Sequence, residues 1–251
     1  DLTRSEIADL ATDALAVVPT ASIEQHGPHL SVVTDTLLVT AVSRQSAEKA
    51  MCSVVVVPTV CYGNSHHHRP HPGVLSLQSD SYLASLRDVI EGLSLSGYRR
   101  ILLLNGHGGN TAANQVAVKD AVNRYDLPGE AHAAAYWDVA RSELVTNGLA
   151  NEMIPGHAGH FETSMVMALR PDLVRHEVLA NLPALDNQKI GLLAGSPGTV
   201  SEQNRVWGSG PGYSDDPASA TPEKGMTYMQ IIIEKVSRLY ESICRNTIPT
   251  T

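Results

Sequence analysis

Glu24, His26, His29 and Asp35 fall together in one stretch, SIEQHGPHLSVVTD (22–35), between two apolar runs. Two carboxylates and two imidazoles are the oxygen and nitrogen donors that Zn, Mn and Fe ions take at hydrolytic centres. Three further segments carry the same residue types: YGNSHHHRPHPG (62–73), NGHGGN (105–110) with His107 at its tip, and GHAGHFETS (156–164) with His157, His160 and Glu162. A carboxylate placed between two metals about 3.5–4 Å apart can bridge them, and such a pair can hold a hydroxide for attack on a carbonyl. Taken singly, each segment is ordinary. A histidine tract also arises as an exposed polar loop. NGHGGN alone reads as a glycine turn or an anion-binding loop at a helix N-terminus, and no Gly-Lys-Ser/Thr follows it to make a nucleotide-binding loop. Four such segments in one regular series make coincidence the poorer account. The only thiol near them is Cys61, at the edge of the second, which disfavours a cysteine-rich structural zinc site.

The elements that must position these residues alternate. LAVVPT (15–20), SVVVVPTV (53–60), RRILLLNG (99–106) and EAHAAAYW (130–137) are short, continuously apolar runs of the kind a parallel sheet covered on both faces produces. Between them, 36–50, 80–97 and 110–125 have helical spacing, as at Val118, Ala121, Val122 and Tyr125. This alternation predicts an α/β fold, a single domain with a mostly parallel central sheet flanked by helices. Three of the four segments directly follow a predicted strand, and ligands in such sheets bind beyond the carboxyl ends of the strands. A last helix is expected from TPEKG onward, with Thr221 as cap, Pro222 in the first turn, and Met229, Ile232, Ile233, Val236, Leu239 and Ile243 on its core face. Met226 and Met229 are both read as core. Residues 181–220 are rich in Gly, Pro, Ser and Asn and read as a long irregular loop: a lid, an oligomer contact or an ordered surface segment.

Composition narrows the partners. A formal net charge of -8 without a Lys/Arg cluster argues against a nucleic-acid or anionic-membrane surface, and 4% aromatics leave few stacking platforms for bases. Hydrophobic residues at 43% and charged residues at 18% describe a globular chain with a sizeable core. No apolar run reaches the ~18 residues a membrane span needs. Cys52, Cys61 and Cys244 show no CxxC spacing and leave an odd count, which favours a reducing compartment over a disulfide scaffold. The polar start, DLTRSEIADLATD, lacks a signal-peptide pattern and an initiator methionine, so the expectation is a soluble, cytoplasmic protein, with room for residues ahead of Asp1.

In order and spacing, EQHGPHL…TDT, YGxS…H…PG, NGHGGN and HAGxxETS resemble the creatininase (creatinine amidohydrolase) family, from the first strand to ATPEKG at 220–225. The resemblance implies one creatininase-like domain over 1–251, two divalent ions per subunit (Zn, Mn or Fe), and hydrolysis of carbon–nitrogen bonds other than peptide bonds. It also implies a homohexamer built as a trimer of dimers. Carried over by position, Glu24, His26, Asp35 and His107 fall on metal ligands, with Asp35 in the bridging role. Creatininase proper has a Glu two residues after the NGH histidine, where this chain has Gly109. In members with HGGN the missing oxygen comes from the Glu of ETS, here Glu162, which joins the ligand set and the catalytic groups. His157 resembles the residue that handles the proton of the leaving nitrogen.

The departures concern the substrate. Trp137, in AYWDV, resembles a pocket wall of creatininase, but MIPG (153–156) stands where creatininase proper has a second Trp. His67-His68 and His71 stand where other members often show Glu-His and a Phe. Ser65, His68 and Trp137 are the expected substrate-binding residues; His29 is expected to orient ligands or substrate, and His160 and His66 to serve the surface or the layer behind the ligands. The leading expectation is a small cyclic amide or formamide substrate, attacked by a hydroxide held between the two metals. The alternatives are a peptidase of the mycofactocin-precursor type and a non-catalytic metal- or ligand-binding α/β protein.

Overall fold

Four parallel strands, β1 (Leu15–Thr20), β2 (Val54–Val56), β3 (Arg100–Asn105) and β4 (Glu130–Ala135), hydrogen-bond in the order β2-β1-β3-β4. The computed structural model describes residues 1–149, 154–185 and 206–246. In chain order the helices are α1 (Arg4–Leu10), α2 (Thr34–Lys49), α3 (Ser79–Leu95), α4 (Thr111–Asn123), α5 (Tyr136–Thr146), α6 (His160–Leu169), α7 (His176–Leu179), α8 (Val206–Ser209) and α9 (Pro222–Arg245).

Every residue of β1 is buried because helices cover both faces of the sheet. Leu15, Val17, Leu102 and Leu104 face one cluster with α2, α5, α6 and α9. Ala16, Val18, Ile101 and Leu103 face the other, closed by α3 and α4 through Tyr82, Leu86, Ile90 and Ala117. The two-residue period of a strand sorts alternate side chains to the two layers, and each buried Leu or Ile contributes roughly 1.5–3 kcal/mol. That two-sided packing makes the carboxyl edge of β1 and β3 a rigid platform for the loops that leave it.

The expected α/β architecture is present, with differences at its boundaries. The run expected as a strand over 53–60 pairs only as 54–56, because Pro58 has no N–H for the ladder; Val60 rejoins as an isolated bridge to Thr20. The run over 130–137 stops at Ala135, and Tyr136 and Trp137 open α5 with their rings buried. Helix α2 starts earlier than expected, which puts Asp35 in its first turn. Helix α3 ends where Gly97 takes φ +102, a left-handed conformation suited to glycine. Thr221 caps α9 by accepting from Lys224 N, and Pro222 occupies the first turn, as expected. Met229 is buried, but Met226 is 51% exposed: it sits three residues back and off the stripe formed by Gly225, Tyr228, Ile232 and Val236.

Of the long 181–220 segment, residues 186–205 lie outside the described residues. The described remainder is less irregular than expected, since it contains α8 and a helical turn at Pro217–Ser219. Cys52 and Cys244, 192 residues apart, form a disulfide between the α2–β2 connection and α9, whereas the sequence favoured reduced thiols; Cys61 is free. Sequence separation says nothing about two ends that the fold brings together. No helix among the described residues is long and apolar enough to cross a membrane.

Candidate metal centre

The loop after β1 turns back on itself through Glu24 N–H donating to Val32 C=O at 3.1 Å, with Gly27 at φ +62. A Cβ at Gly27 would press within 2.9 Å of His29 Nδ1, so the turn requires glycine. This brings Glu24 and His26 back to the start of α2, where Asp35 waits. His107 enters from the end of β3. The Asn105 side chain clamps it, accepting from His107 N–H at 3.1 Å and donating to its C=O at 2.7 Å. Glu162 enters from the first turn of α6, its carboxylate accepting the Ala158 N–H at 2.6 Å. All five side chains are buried.

Their geometry divides in two about Asp35. Its Oδ1 lies 3.1 Å from His26 Nε2, which is in turn 3.8 Å from Glu162 Oε2. Its Oδ2 lies 3.1 Å from His107 Nδ1, which is 3.3 Å from Glu24 Oε2. Both imidazoles have their other nitrogen beside a main-chain carbonyl: His26 Nδ1 at Glu24 C=O, 3.2 Å, and His107 Nε2 at Asn64 C=O, 3.0 Å. A carbonyl only accepts, so those nitrogens carry the protons in the neutral rings, and the inward nitrogens turn lone pairs toward carboxylate oxygens. That arrangement is repulsive unless a cation or a proton sits between, and it is how histidine ligands are oriented at metal sites. Glu24 Oε1 and Asp35 Oδ2 are buried without a hydrogen-bond partner, a second feature that a cation would satisfy. Glu24–His26–Asp35 and His26–His157–Glu162 each place three ligand atoms within 4.8 Å of one another.

Without cations the cluster holds protons instead. Burial opposes charge on His26, but Asp35, Glu162 and Glu24 outweigh it and raise the imidazole to about 10. His107 is likewise raised, burial being overcome by Glu24 and Asp35. Burial pushes Glu162 up to about 8, against the pull of His26. Glu24 is held well below the carboxylate range despite burial, by His107, His68 and His157.

A cavity of ≈ 260 Å³ opens onto these groups, walled by His67, His68, Trp137, Pro155, Gly156, His157 and Trp207. His157 and His68 stack with centroids 4.2 Å apart, and Trp207 stands edge-on to both, at 5.6 and 5.4 Å. Burial and the neighbouring His26 hold His157 well below the ordinary imidazole range, and burial brings His68 down to about 3. A larger depression, ≈ 510 Å³, lies between α3 and α4 beside Arg87, Glu91 and Tyr125; no histidine lines it.

The remaining singled-out residues are dispersed. Ser65 is fully buried behind Glu24 and donates its hydroxyl to Glu24 Oε2; it does not line the cavity. His29 turns away to Thr163 Oγ1 at 2.9 Å, tying the first loop to α6. His66 hydrogen-bonds Ser76, and His160, partly buried, lies 3.4 Å from Asp215. His71 donates from Nε2 to the Trp207 C=O at 3.1 Å, fastening α8. Of MIPG, Met153 lies outside the described residues. Sequence reasoning passed over Gln25, an untitratable amide inside the first motif, and Trp207, whose signal was an aromatic opening a Gly/Ser-rich stretch.

A family model described as creatinine amidohydrolase matches residues 1–240. The chain is 27% identical to the creatinine amidohydrolase of Pseudomonas putida, over 90% of this chain and 88% of that protein. It is 33% identical to the mycofactocin precursor peptide peptidase of Mycolicibacterium smegmatis, over 84% of this chain and 78% of the relative. The crystal structure of a creatinine amidohydrolase superposes with a TM-score of 0.80 at 28% identity, covering 98% of this chain and 97% of that one. Matching structures also include a creatininase described as Mn (TM-score 0.78, 25% identity, 98% of each chain) and a mutant described as Zn-Zn type (0.79, 26%, 98% and 97%).

Proposed function

The chain belongs to the creatininase (creatinine amidohydrolase) family and is a hydrolase; from that premise we propose that it cleaves a carbon–nitrogen bond other than a peptide bond, in a small cyclic amide or formamide, at a centre that would take two cations on either side of Asp35. The observation that carries this reading is the division of Asp35, one oxygen toward His26 and Glu162, the other toward His107 and Glu24. His26, Glu162 and Asp35 would hold one cation, and Glu24, His107 and Asp35 would hold the other; the donor set suits Zn, Mn or Fe. When bound, such ions supply a Lewis acid for the scissile carbonyl and a water acidic enough to act near neutral pH.

The protein's own residues do the rest. His157 borders both half-sites: its ring lies 4.5 Å from that of His26, and its Nδ1 lies 3.6 Å from Glu24 Oε1. Its lowered pKa leaves it neutral at pH 7, able to take a proton from the attacking water and pass it to the departing nitrogen. That transfer lets the amine leave neutral and regenerates the imidazole. Trp137, His67, His68 and Trp207 wall the substrate and narrow the cavity. A volume of ≈ 260 Å³ fits a small ring better than an extended peptide, although 33% identity to a precursor-peptide peptidase keeps peptide cleavage as the second reading. The homohexamer and the extent of the domain over 1–251 are proposals from the family resemblance, and the cytoplasmic location is a proposal from composition alone. The deciding experiment incubates Zn- or Mn-loaded protein with lactams, formamides and short peptides and reads products by mass spectrometry. Turnover of peptides alone would replace the small-amide reading, and turnover of nothing would leave a binding protein.

A further inference from the structure

Helix α6 carries Glu162 in its first turn, yet it has no cap of its own. Its N-cap position is Gly159, in an extended conformation (φ -86, ψ -163), and no side chain there accepts a first-turn N–H. Helix α9, by contrast, is capped by its own Thr221, which accepts the Lys224 N–H at 3.2 Å. A helix start without a cap leaves main-chain donors unpaired and frays.

The cap of α6 comes from 55 residues away: Asp215 Oδ1 accepts the His160 N–H at 2.8 Å. Asp215 Oδ2 lies 3.4 Å from His160 Nδ1. Gly159 leaves the space for it, since a Cβ there would sit 2.4 Å from Asp215 Oδ2 and 2.5 Å from Oδ1. Asp215 is itself held. It takes φ +48, a left-handed conformation in which Asp is enriched, and its C=O accepts the Leu185 N–H at 2.7 Å. The preceding Ser214 donates its N–H to His157 C=O at 2.8 Å and accepts the His157 N–H on Oγ at 2.9 Å. The same strap closes on the first motif: a Cβ at Gly212 would meet Gln25 Oε1 at 2.1 Å, and Gln25 Nε2 lies 2.9 Å from His68 Nδ1.

Two carboxylates thus serve one helix start. Asp215 takes the His160 N–H, and Glu162 Oε2 takes the Ala158 N–H at 2.6 Å while standing 3.8 Å from His26 Nε2. An anion at the first turn also complements the helix dipole. Without Asp215 the first turn loosens, and Glu162, the third residue of the helix, loses the placement from which it meets His26. Resting on the reading of Glu162 as a cation ligand, we propose that Asp215 is a positioning residue: it caps α6 from outside the helix and so fixes Glu162 for the cation on the His26 side of Asp35. The effect is confined to one position, because Glu24 and His107 enter from the loops after β1 and β3.

The test is zinc affinity, by calorimetric titration of the cation-free protein, for the parent, Asp215→Gly, Asp215→Asn and Glu162→Gln. Glycine accepts the left-handed backbone without strain, so Asp215→Gly removes only the carboxylate. The parent should show two classes of site, and Glu162→Gln identifies the class on the His26 side. Asp215→Gly should weaken that class roughly 10-fold or more, as loss of a partner behind a metal ligand does, and leave the other unchanged. Asp215→Asn keeps an acceptor oxygen at the same reach and should recover the parent's affinity. In the Glu162→Gln background, Asp215→Gly should change the surviving class no further. A lower melting temperature in Asp215→Gly with both affinities unchanged would make Asp215 a structural cap only and overturn the proposal. Equal weakening of both classes, or no recovery in Asp215→Asn, would overturn it too. A parent without two classes would refute the two-cation reading and this inference with it. Should Asp215→Gly fail to fold, Gly159→Ala decides: its methyl displaces the Asp215 carboxylate and should weaken the same class, and parent-like affinities there would overturn the assignment.

Discussion

Glu162→Gln separates the two halves of the centre, because Glu162 lies on the side of His26 Nε2 and Asp35 Oδ1, whereas Glu24 and His107 meet on the other. Gln keeps the volume but is a weaker ligand without charge. Losing a partner outside the coordination sphere already costs roughly 10–100-fold in affinity, so losing a charged ligand should cost one position more than about 100-fold and the other little. Parent protein titrated with zinc should show two classes of site; the variant should keep one. The cation-free proteins should differ in the opposite sense. Burial raises Glu162 in the folded state from 4.5 to about 8. A carboxyl with a raised folded pKa destabilises the fold progressively as pH rises through the window from about 4.5 to 8, by a few kcal/mol in total. Gln escapes that penalty, so at pH 8 the metal-free variant should melt above the metal-free parent, while zinc stabilises the parent more. Isothermal titration and thermal denaturation at pH 5 and 8 read both effects. Equal loss of both cations, or a metal-free variant less stable than the parent at pH 8, would refute the assignment of Glu162.

Asp35→Ala should empty both positions by elemental analysis, since each of its oxygens faces a different imidazole; unchanged metal content would sink the bridging role. Loading the metal-free protein with zinc at pH 7 should release protons, because His26 is raised to about 10, His107 is raised and Glu162 stands at about 8. Calorimetry in buffers of different ionisation enthalpy counts them, and no release would mean the cluster is not the binding site. His157→Ala should leave metal content nearly unchanged and lower kcat by roughly 10²-fold or more, with partial rescue on anilides whose leaving amine needs less protonation. A loss independent of the leaving group would remove His157 from the proton path. Leu102→Ala, in the core beneath the site, should cost about 2–5 kcal/mol in denaturant unfolding without changing zinc stoichiometry.

The sequence showed the platform better than the joints. Continuous apolar runs identified β1 and β3 because two-sided burial imposes one local signature on every residue of such a strand. The same signature overran at Pro58 and at Tyr136, where a missing N–H and a helix start ended pairing in spite of apolar side chains. The proposed ligand residues come together because the parallel sheet gathers the loops after β1 and β3 at one edge, where the first turns of α2 and α6 bring Asp35 and Glu162. Gly109 shows how far that legibility reaches. A Cβ there would meet Asn64 C=O at 2.2 Å and His107 Nε2 at 2.6 Å, so this loop has no room for a carboxylate on its own backbone. A carboxylate oxygen does stand beside His26 from another element: Glu162 Oε2, on α6, lies 3.8 Å from His26 Nε2. The family resemblance names both residues but not the crowding that makes one depend on the other. Gln25, Trp207 and the Cys52–Cys244 link were hidden for a related reason: each acts through a neighbour 43 or more residues away in the chain. A single sequence records the residue types but not which distant neighbours the fold will give them.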